Sequence, residues 1–180
     1  MDKPPAASLT HMGIYVRDLP RMKEFYTGVL GLTVTDEGHV PRLGADICFM
    51  SADPKVHHQV VLVGGRPESA TYTTVMQISF TVPSLAELRR ARDRALAAGA
   101  TGMRQVSHGN AWSIYFADPE GNVIEMYLDS PFHVPQPHGD PFDLDRPDEE
   151  ILRETEAACR RDPGFMMRAD WERTQAARMG

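Results

Sequence analysis

The chain has 180 residues, enough for one full domain or for two small modules that share a core. Its 42% hydrophobic and 24% charged content excludes a wholly disordered chain, and a formal net charge of −6 leaves no basic footprint for nucleic acid. No apolar run approaches the length of a membrane span, and the polar start M-D-K-P-P-A-A-S lacks a signal-peptide core, so a cytoplasmic protein that engages no membrane is expected. Cys48 and Cys159 stand apart, without metal or redox spacing, which fits a reducing compartment.

Residues 1–8 read as a loose lead-in. Residues 9–16, L-T-H-M-G-I-Y-V, read as a strand with His11 near its start. Asp18 is placed to cap a helix over residues 19–30, and Pro20 falls in the first turn, where a missing N–H is tolerated. Met22, Phe25, Tyr26, Val29 and Leu30 recur at helical spacing and predict one buried stripe, ended by Gly31. Strands follow over 32–36, 47–51 and 56–63, the last stopped by Gly64 and Gly65.

After a polar connector at 66–73 the pattern begins again. Residues 75–82, V-M-Q-I-S-F-T-V, predict a strand. Ser84 and Glu87 form a capping-box pattern ahead of a helix that runs to about residue 98, with Leu85, Leu88, Ala91, Ala95 and Leu96 inward and Gly99 at its end. Three strands follow, over 103–106, 112–117 and 122–128. The last two are joined by D-P-E-G-N at 118–122, where Pro fixes one φ and Gly or Asn tolerates a positive one.

The order β-α-β-β-β thus occurs twice, with H-M-G-I-Y-V at 11–16 lying over Q-I-S-F-T-V at 77–82. Neither copy is large enough for a good core alone. The expected fold is α+β: two βαβββ modules, 9–65 and 74–129, forming a curved, partly open eight-stranded sheet with the helices outside. Residues 130–180 form a tail. It is proline-rich and extended over 131–147, then Pro147-Asp148-Glu149-Glu150 opens a helix to about residue 161 with Arg160 and Arg161 in its last turn, and a short helix follows over 168–179. Ile151, Leu152, Ala158 and Cys159 give the first tail helix a thin apolar stripe, which is expected to dock on its own domain or a second subunit.

Seven histidines are present. His39, His133 and His138 fall in loops or the tail and read as ordinary surface or structural residues. His11 differs, because the repeat makes it equivalent to Gln77, while Glu125 lies mid-strand between apolar neighbours. Glu125 alone would read as solvent-facing. Three polar residues aimed into the bend of one sheet would be costly without a cation. An imidazole, an amide oxygen and a carboxylate are a credible divalent-metal ligand set, and three protein ligands leave positions open for substrate.

H-M-G-I-Y-V-R-D-L, E-F-Y-T-G-V-L-G-L and Y-F-A-D-P-E-G-N-V-I-E resemble the vicinal oxygen chelate superfamily over about residues 9–129. Within that group, V-H-H-Q-V-V-L-V-G-G at 56–65 and S-H-G-N-A-W-S-I-Y-F-A-D-P-E-G-N at 107–122 resemble the type I extradiol dioxygenases. The resemblance implies a ring-cleaving enzyme that acts on a catechol-type aromatic with O2. It implies Fe(II), or else Mn(II) or another divalent ion, on His11, the residue at 77 and Glu125. His58 (with His57 as the other possibility) would be the acid/base, and Tyr115 and His108 would contact the substrate hydroxyls. A homodimer or larger homo-oligomer is expected by the same analogy. Gln77 departs from the extradiol pattern, which has His there. Gln is accepted in glyoxalase-like members, so an isomerase, epimerase or lyase using a metal-bound enediolate remains an alternative, as does a non-catalytic protein that sequesters an aromatic ligand.

Overall fold

A computed structural model describes residues 7–179, so most of the lead-in, residues 1–6, lies outside the described residues. The chain divides into two units, Met1–Thr73 and Thr74–Gly180. The first holds β1 (Met12–Val16), α1 (Leu19–Gly28), β2 (Thr33–Val40), β3 (Ala45–Ser51) and β4 (Val60–Gly64). Its sheet has the order β1-β4-β3-β2, with β1 parallel to β4 and the other pairs antiparallel. The Asp18 side chain caps α1 by accepting from the Arg21 N–H at 3.0 Å. Met22, Phe25, Tyr26 and Val29 are buried as their spacing predicts, each large side chain contributing about 1.5–3 kcal/mol. Leu30 is only half-buried. The outer strand, β2, carries Asp36 and Glu37 and a register irregularity between Val34 and Asp36.

The second unit repeats this wiring with β5 (Ile78–Thr81), α2 (Leu85–Ala97), β6 (Thr101–Ser107), β7 (Ala111–Ala117) and β8 (Val123–Asp129). Its order is β6-β7-β8-β5, with β5 parallel to β8. Ser84 caps α2 by accepting from the Glu87 N–H at 3.1 Å. The Glu87 carboxylate turns to Arg90 and Arg94 (2.7 and 2.9 Å), and these cations hold it below the usual carboxylate range. Leu96 is half exposed and is not part of the buried stripe, which stops at Ala95. In the turn between β7 and β8, Asp118 accepts from the Glu120 and Asn122 N–H groups, both at 2.9 Å, and Gly121 has φ +83°. That turn sets the register pairing Tyr115 with Glu125.

Three strands start later than the sequence suggests. β1 begins at Met12, β5 at Ile78 and β4 at Val60, so His11, Gln77, His57 and His58 precede strands rather than lie on them. For β4 the cause is a turn after β3: Asp53 caps the Lys55 N–H at 2.9 Å, and Gln59 Oε1 accepts from the Ala52 N–H at 2.9 Å. The side chain of Gln59 thus closes the loop that carries both histidines. His11 and Gln77 each stand one residue before the first strand of their repeat.

Residues after Asp129 belong to the second unit. They form β9 (Phe132–His133), β10 (Asp140–Pro141), α3 (Asp148–Cys159), β11 (Met166–Met167) and α4 (Arg168–Met179). β10 adds an antiparallel strand to the edge of β6, and β9 pairs with β11. α3 ends at Cys159, so Arg160 is its C-cap and Arg161 lies beyond it. Its inward residues are Ile151, Thr155 and Cys159, while Leu152 is 39% exposed. Thr155 faces inward because its hydroxyl accepts the indole N–H of buried Trp112 at 2.8 Å.

α2 holds the tail through cations. Arg89 donates to the carbonyls of Leu144 (2.6 Å) and Arg146 (2.8 Å) and pairs with Asp148 at 2.7 Å, and Arg92 pairs with Asp145 at 2.8 Å. Arg89→Ala removes both main-chain bonds and the ion pair together. It is expected to cost about 2–3 kcal/mol, read as a lower urea midpoint at unchanged m-value.

Candidate functional site

In the second unit one row of side chains crosses the sheet. Arg104 pairs with Tyr115, Tyr115 with Glu125 and Glu125 with Ser79, from β6 through β7 and β8 to β5. Cross-strand partners share a face, so these side chains are neighbours by register alone. The Arg104 guanidinium lies 4.9 Å from the centre of the Tyr115 ring.

Glu125 is the centre of the row. It is 7% exposed, so it does not point at water as a lone mid-strand acid would. Its Oε2 accepts from the Gln77 amide and the Ser79 hydroxyl, both at 2.6 Å, and its Oε1 accepts from the Tyr115 hydroxyl at 2.5 Å. Three neutral donors thus replace the water that burial removes. A carboxylate has about four lone-pair directions, so one on Oε1 stays open. Since the Gln77 nitrogen faces the carboxylate and also reaches Ser79 at 2.9 Å, the amide oxygen is the atom left over for another ligand.

Beyond Tyr115 the chain of contacts continues. Tyr115 Oη lies 2.8 Å from His108 Nε2, and His108 Nδ1 lies 2.8 Å from the His138 carbonyl. A carbonyl only accepts, so Nδ1 carries the hydrogen of the neutral ring and Nε2 presents a lone pair. The single Tyr115 proton then faces two acceptors, Glu125 and His108. Satisfying both contacts at once takes one more proton on Nε2. Burial first, then the hydrogen bond and charge of Glu125, push the Tyr115 hydroxyl up to about 12. It therefore remains a protonated donor across the working range of pH.

The first unit presents imidazoles. The His11 and His58 rings lie 4.3 Å apart, His57 Nδ1 contacts His58 Nδ1 at 2.9 Å, and the Phe49 ring packs 5.1 Å from His58. Burial, and then repulsion from His11 and His57, lower His58 below the ordinary histidine value, so it favours the neutral, proton-accepting form. The structure brings Gln77, Glu125, Tyr115 and His108 together in one unit, and His11, His57 and His58 together in the other. Among the described residues no group of three or more His, Cys, Asp or Glu side chains is arranged to hold a metal.

Sequence reasoning missed two contributors. Ser79 was signalled only by its place opposite Glu125, which the parallel β5–β8 register makes visible. The His138 carbonyl gave no side-chain signal at all, since its contact with His108 is made by main chain.

The sequence matches the family described as the Glyoxalase/Bleomycin resistance protein/Dioxygenase superfamily over residues 8–126. The chain belongs to that superfamily. A curated relative, biphenyl-2,3-diol 1,2-dioxygenase 3 of Rhodococcus globerulus, is 31% identical over 151 residues, covering 76% of this chain and 73% of the relative. Biphenyl-2,3-diol 1,2-dioxygenase 2 of the same organism is 26% identical over 124 residues, covering 67% of this chain and 62% of its own length. Among solved structures, a glyoxylase/bleomycin resistance protein/dioxygenase domain from Frankia sp. EAN1pec superposes with a TM-score of 0.59 at 21% identity, over 69% of this chain and 99% of its own. The fosfomycin resistance protein FosX from Listeria monocytogenes, complexed with Mn(II) and sulfate, gives 0.55 at 18%, over 70% and 95%. These two structures share the α+β fold. No described helix is long and apolar enough to cross a membrane.

Tyr115→Phe deprives Glu125 Oε1 of its donor inside a buried site. The variant is expected to lose about 1–3 kcal/mol of stability, measured by urea denaturation, whereas Arg104→Gln, on the exposed end of the row, should change stability by less than about 0.5 kcal/mol.

Proposed function

We propose that this protein is an extradiol-type dioxygenase that cleaves a catechol-type aromatic with O2. The observation that carries the reading is the buried Glu125 carboxylate, held by neutral donors and joined through Tyr115 to His108. The dioxygenase relatives support it.

The donor chemistry fits a divalent ion. Glu125 keeps a lone-pair direction on Oε1, and Gln77 keeps its amide oxygen. With the His11 imidazole of the first repeat these make the proposed ligand set, and its one nitrogen and two oxygen donors suit Fe(II) or Mn(II). Bound there, such an ion would hold two vicinal oxygens and lower the pKa of the hydroxyls it touches.

The remaining work falls to this chain's side chains. His108, with its Nε2 lone pair presented, accepts a hydroxyl proton. Tyr115, held as a neutral phenol, would turn its one proton from Glu125 to an oxygen on which negative charge develops. His58, biased to its neutral form, is the acid/base that takes a proton and returns it at ring cleavage, with His57 as the other candidate. The Gln77 amide favours a second reading, a glyoxalase-like isomerase, epimerase or lyase, because amide oxygen is a harder and weaker donor than imidazole.

Protein loaded anaerobically with Fe(II) is expected to consume one O2 per catechol and yield a yellow ring-fission product from at least one member of a panel that includes biphenyl-2,3-diol. Fully loaded protein that takes up no oxygen with any of them would exclude the dioxygenase reading. Glu125→Ala should come through purification without metal by elemental analysis. His58→Phe should keep its metal and lose turnover by about 10²–10⁴-fold, and unchanged turnover would remove His58 from the chemistry.

A further inference from the structure

The tail is built against the turn that carries His108. Gly109, with φ +72°, has no room for a side chain, because a Cβ there would sit 2.5 Å from Val134 Cγ2 and 3.1 Å from Cys159 Sγ. Ser130 Oγ donates to the Gly109 carbonyl at 2.5 Å, and the Ser130 N–H donates to the Asn110 carbonyl at 2.9 Å. Val134 and Cys159 are fully buried with Phe132 in a small apolar cluster of the tail. The turn and the tail therefore form one packed unit.

Within it Gln136 makes a two-sided contact. Its Nε2 donates to the His108 carbonyl at 2.9 Å, and its Oε1 accepts from the His138 N–H at 3.0 Å. His138 is the residue whose carbonyl holds His108 Nδ1 at 2.8 Å. One amide thus ties the main chain of His108 to the residue whose carbonyl orients its ring. The His138 ring is itself paired with Asp140, at 3.3 Å, where β10 joins β6.

We propose that Gln136 is a positioning residue: it fixes the 136–138 turn so that the His138 carbonyl selects the Nδ1–H tautomer of His108 and aims Nε2 at Tyr115. This rests on the dioxygenase reading for its catalytic consequence, and on the geometry alone for its structural one. Gln136 touches no reacting atom. It acts through His108 in the way that an outer partner fixes the tautomer and orientation of a functional histidine. On this account the tail is part of the site, although it contributes no side chain to the row across the sheet.

The test uses Gln136→Met, which keeps the side-chain length and removes both hydrogen bonds. The full-length protein, labelled with 15N on histidine, is observed by NMR at about pH 8.5, where an ordinary imidazole is neutral. In the wild type the His108 ring nitrogens, assigned with His108→Gln, are expected to show the Nδ1–H tautomer. In Gln136→Met they should shift toward the Nε2–H tautomer that dominates in free histidine. With an active substrate, kcat should fall about 10-fold while KM changes less than about twofold.

An unchanged His108 signal in Gln136→Met overturns the proposal. So does a wild-type His108 that is already the Nε2–H tautomer. Should Gln136→Met fail to fold, Gln136→Asn, one methylene too short to reach both partners, takes its place in the same spectrum: a His108 signal shifted toward Nε2–H supports the positioning role, and an unchanged one overturns it. The spectrum needs no turnover, so a protein that cleaves no catechol but shows the tautomer shift loses the dioxygenase reading and keeps the positioning role.

Discussion

The constraint on which the second repeat depends is a carboxylate taken out of water in the middle of a strand. A buried Glu without compensation would neutralise or unfold its surroundings. Glu125 is instead supplied with donors from two neighbouring strands and from the residue ahead of one of them. Each donor demands a piece of architecture. Tyr115 requires the β7–β8 register, which the Asp118–Asn122 turn sets. Ser79 requires the parallel pairing of β5 with β8, and that pairing needs the crossover through α2. Local turn chemistry and long-range topology therefore meet on one side chain.

The two repeats share wiring and differ in what they present. The first gathers imidazoles and an aromatic ring around His58. The second gathers an amide, two hydroxyls and a carboxylate. The shared position of His11 and Gln77, one residue before the first strand of each repeat, shows how duplication supplies matched places that can then diverge in chemistry.

Much of this was legible in the sequence because it is periodic or local. The repeat, both helix caps, the α1 stripe and the D-P-E-G-N turn depend on residues close in the chain, where spacing and turn chemistry speak directly. Strand starts were less legible. The run V-H-H-Q-V-V-L-V reads as one strand, yet Gln59 uses its side chain to close a loop, and the strand begins at Val60. Leu96 and Leu152 have apolar side chains, but the end of α2 and the solvent side of α3 leave them outside the packed faces. Thr155 is inward only because Trp112, 43 residues earlier, needs an acceptor. The burial of Glu125 was within reach through the repeat. Its actual donors needed strand register, and the His108 ring is held by the His138 main-chain carbonyl, which carries no residue-specific signal.

The strand β10 has a consequence for the solubility of the chain. A sheet edge with free N–H and C=O groups invites pairing with another molecule. The two repeats meet this hazard by different means at one edge of each sheet. β2 carries acids and a register irregularity, which make it a poor template. β6 is covered by the Asp140–Pro141 segment, and proline there offers no N–H to a newcomer. Cutting the chain at the end of its repeats would remove that cover. A fragment ending at Asp129 would keep both β-α-β-β-β units and bare the edge of β6 at Val106 and Ser107, which the tail pairs in the full chain.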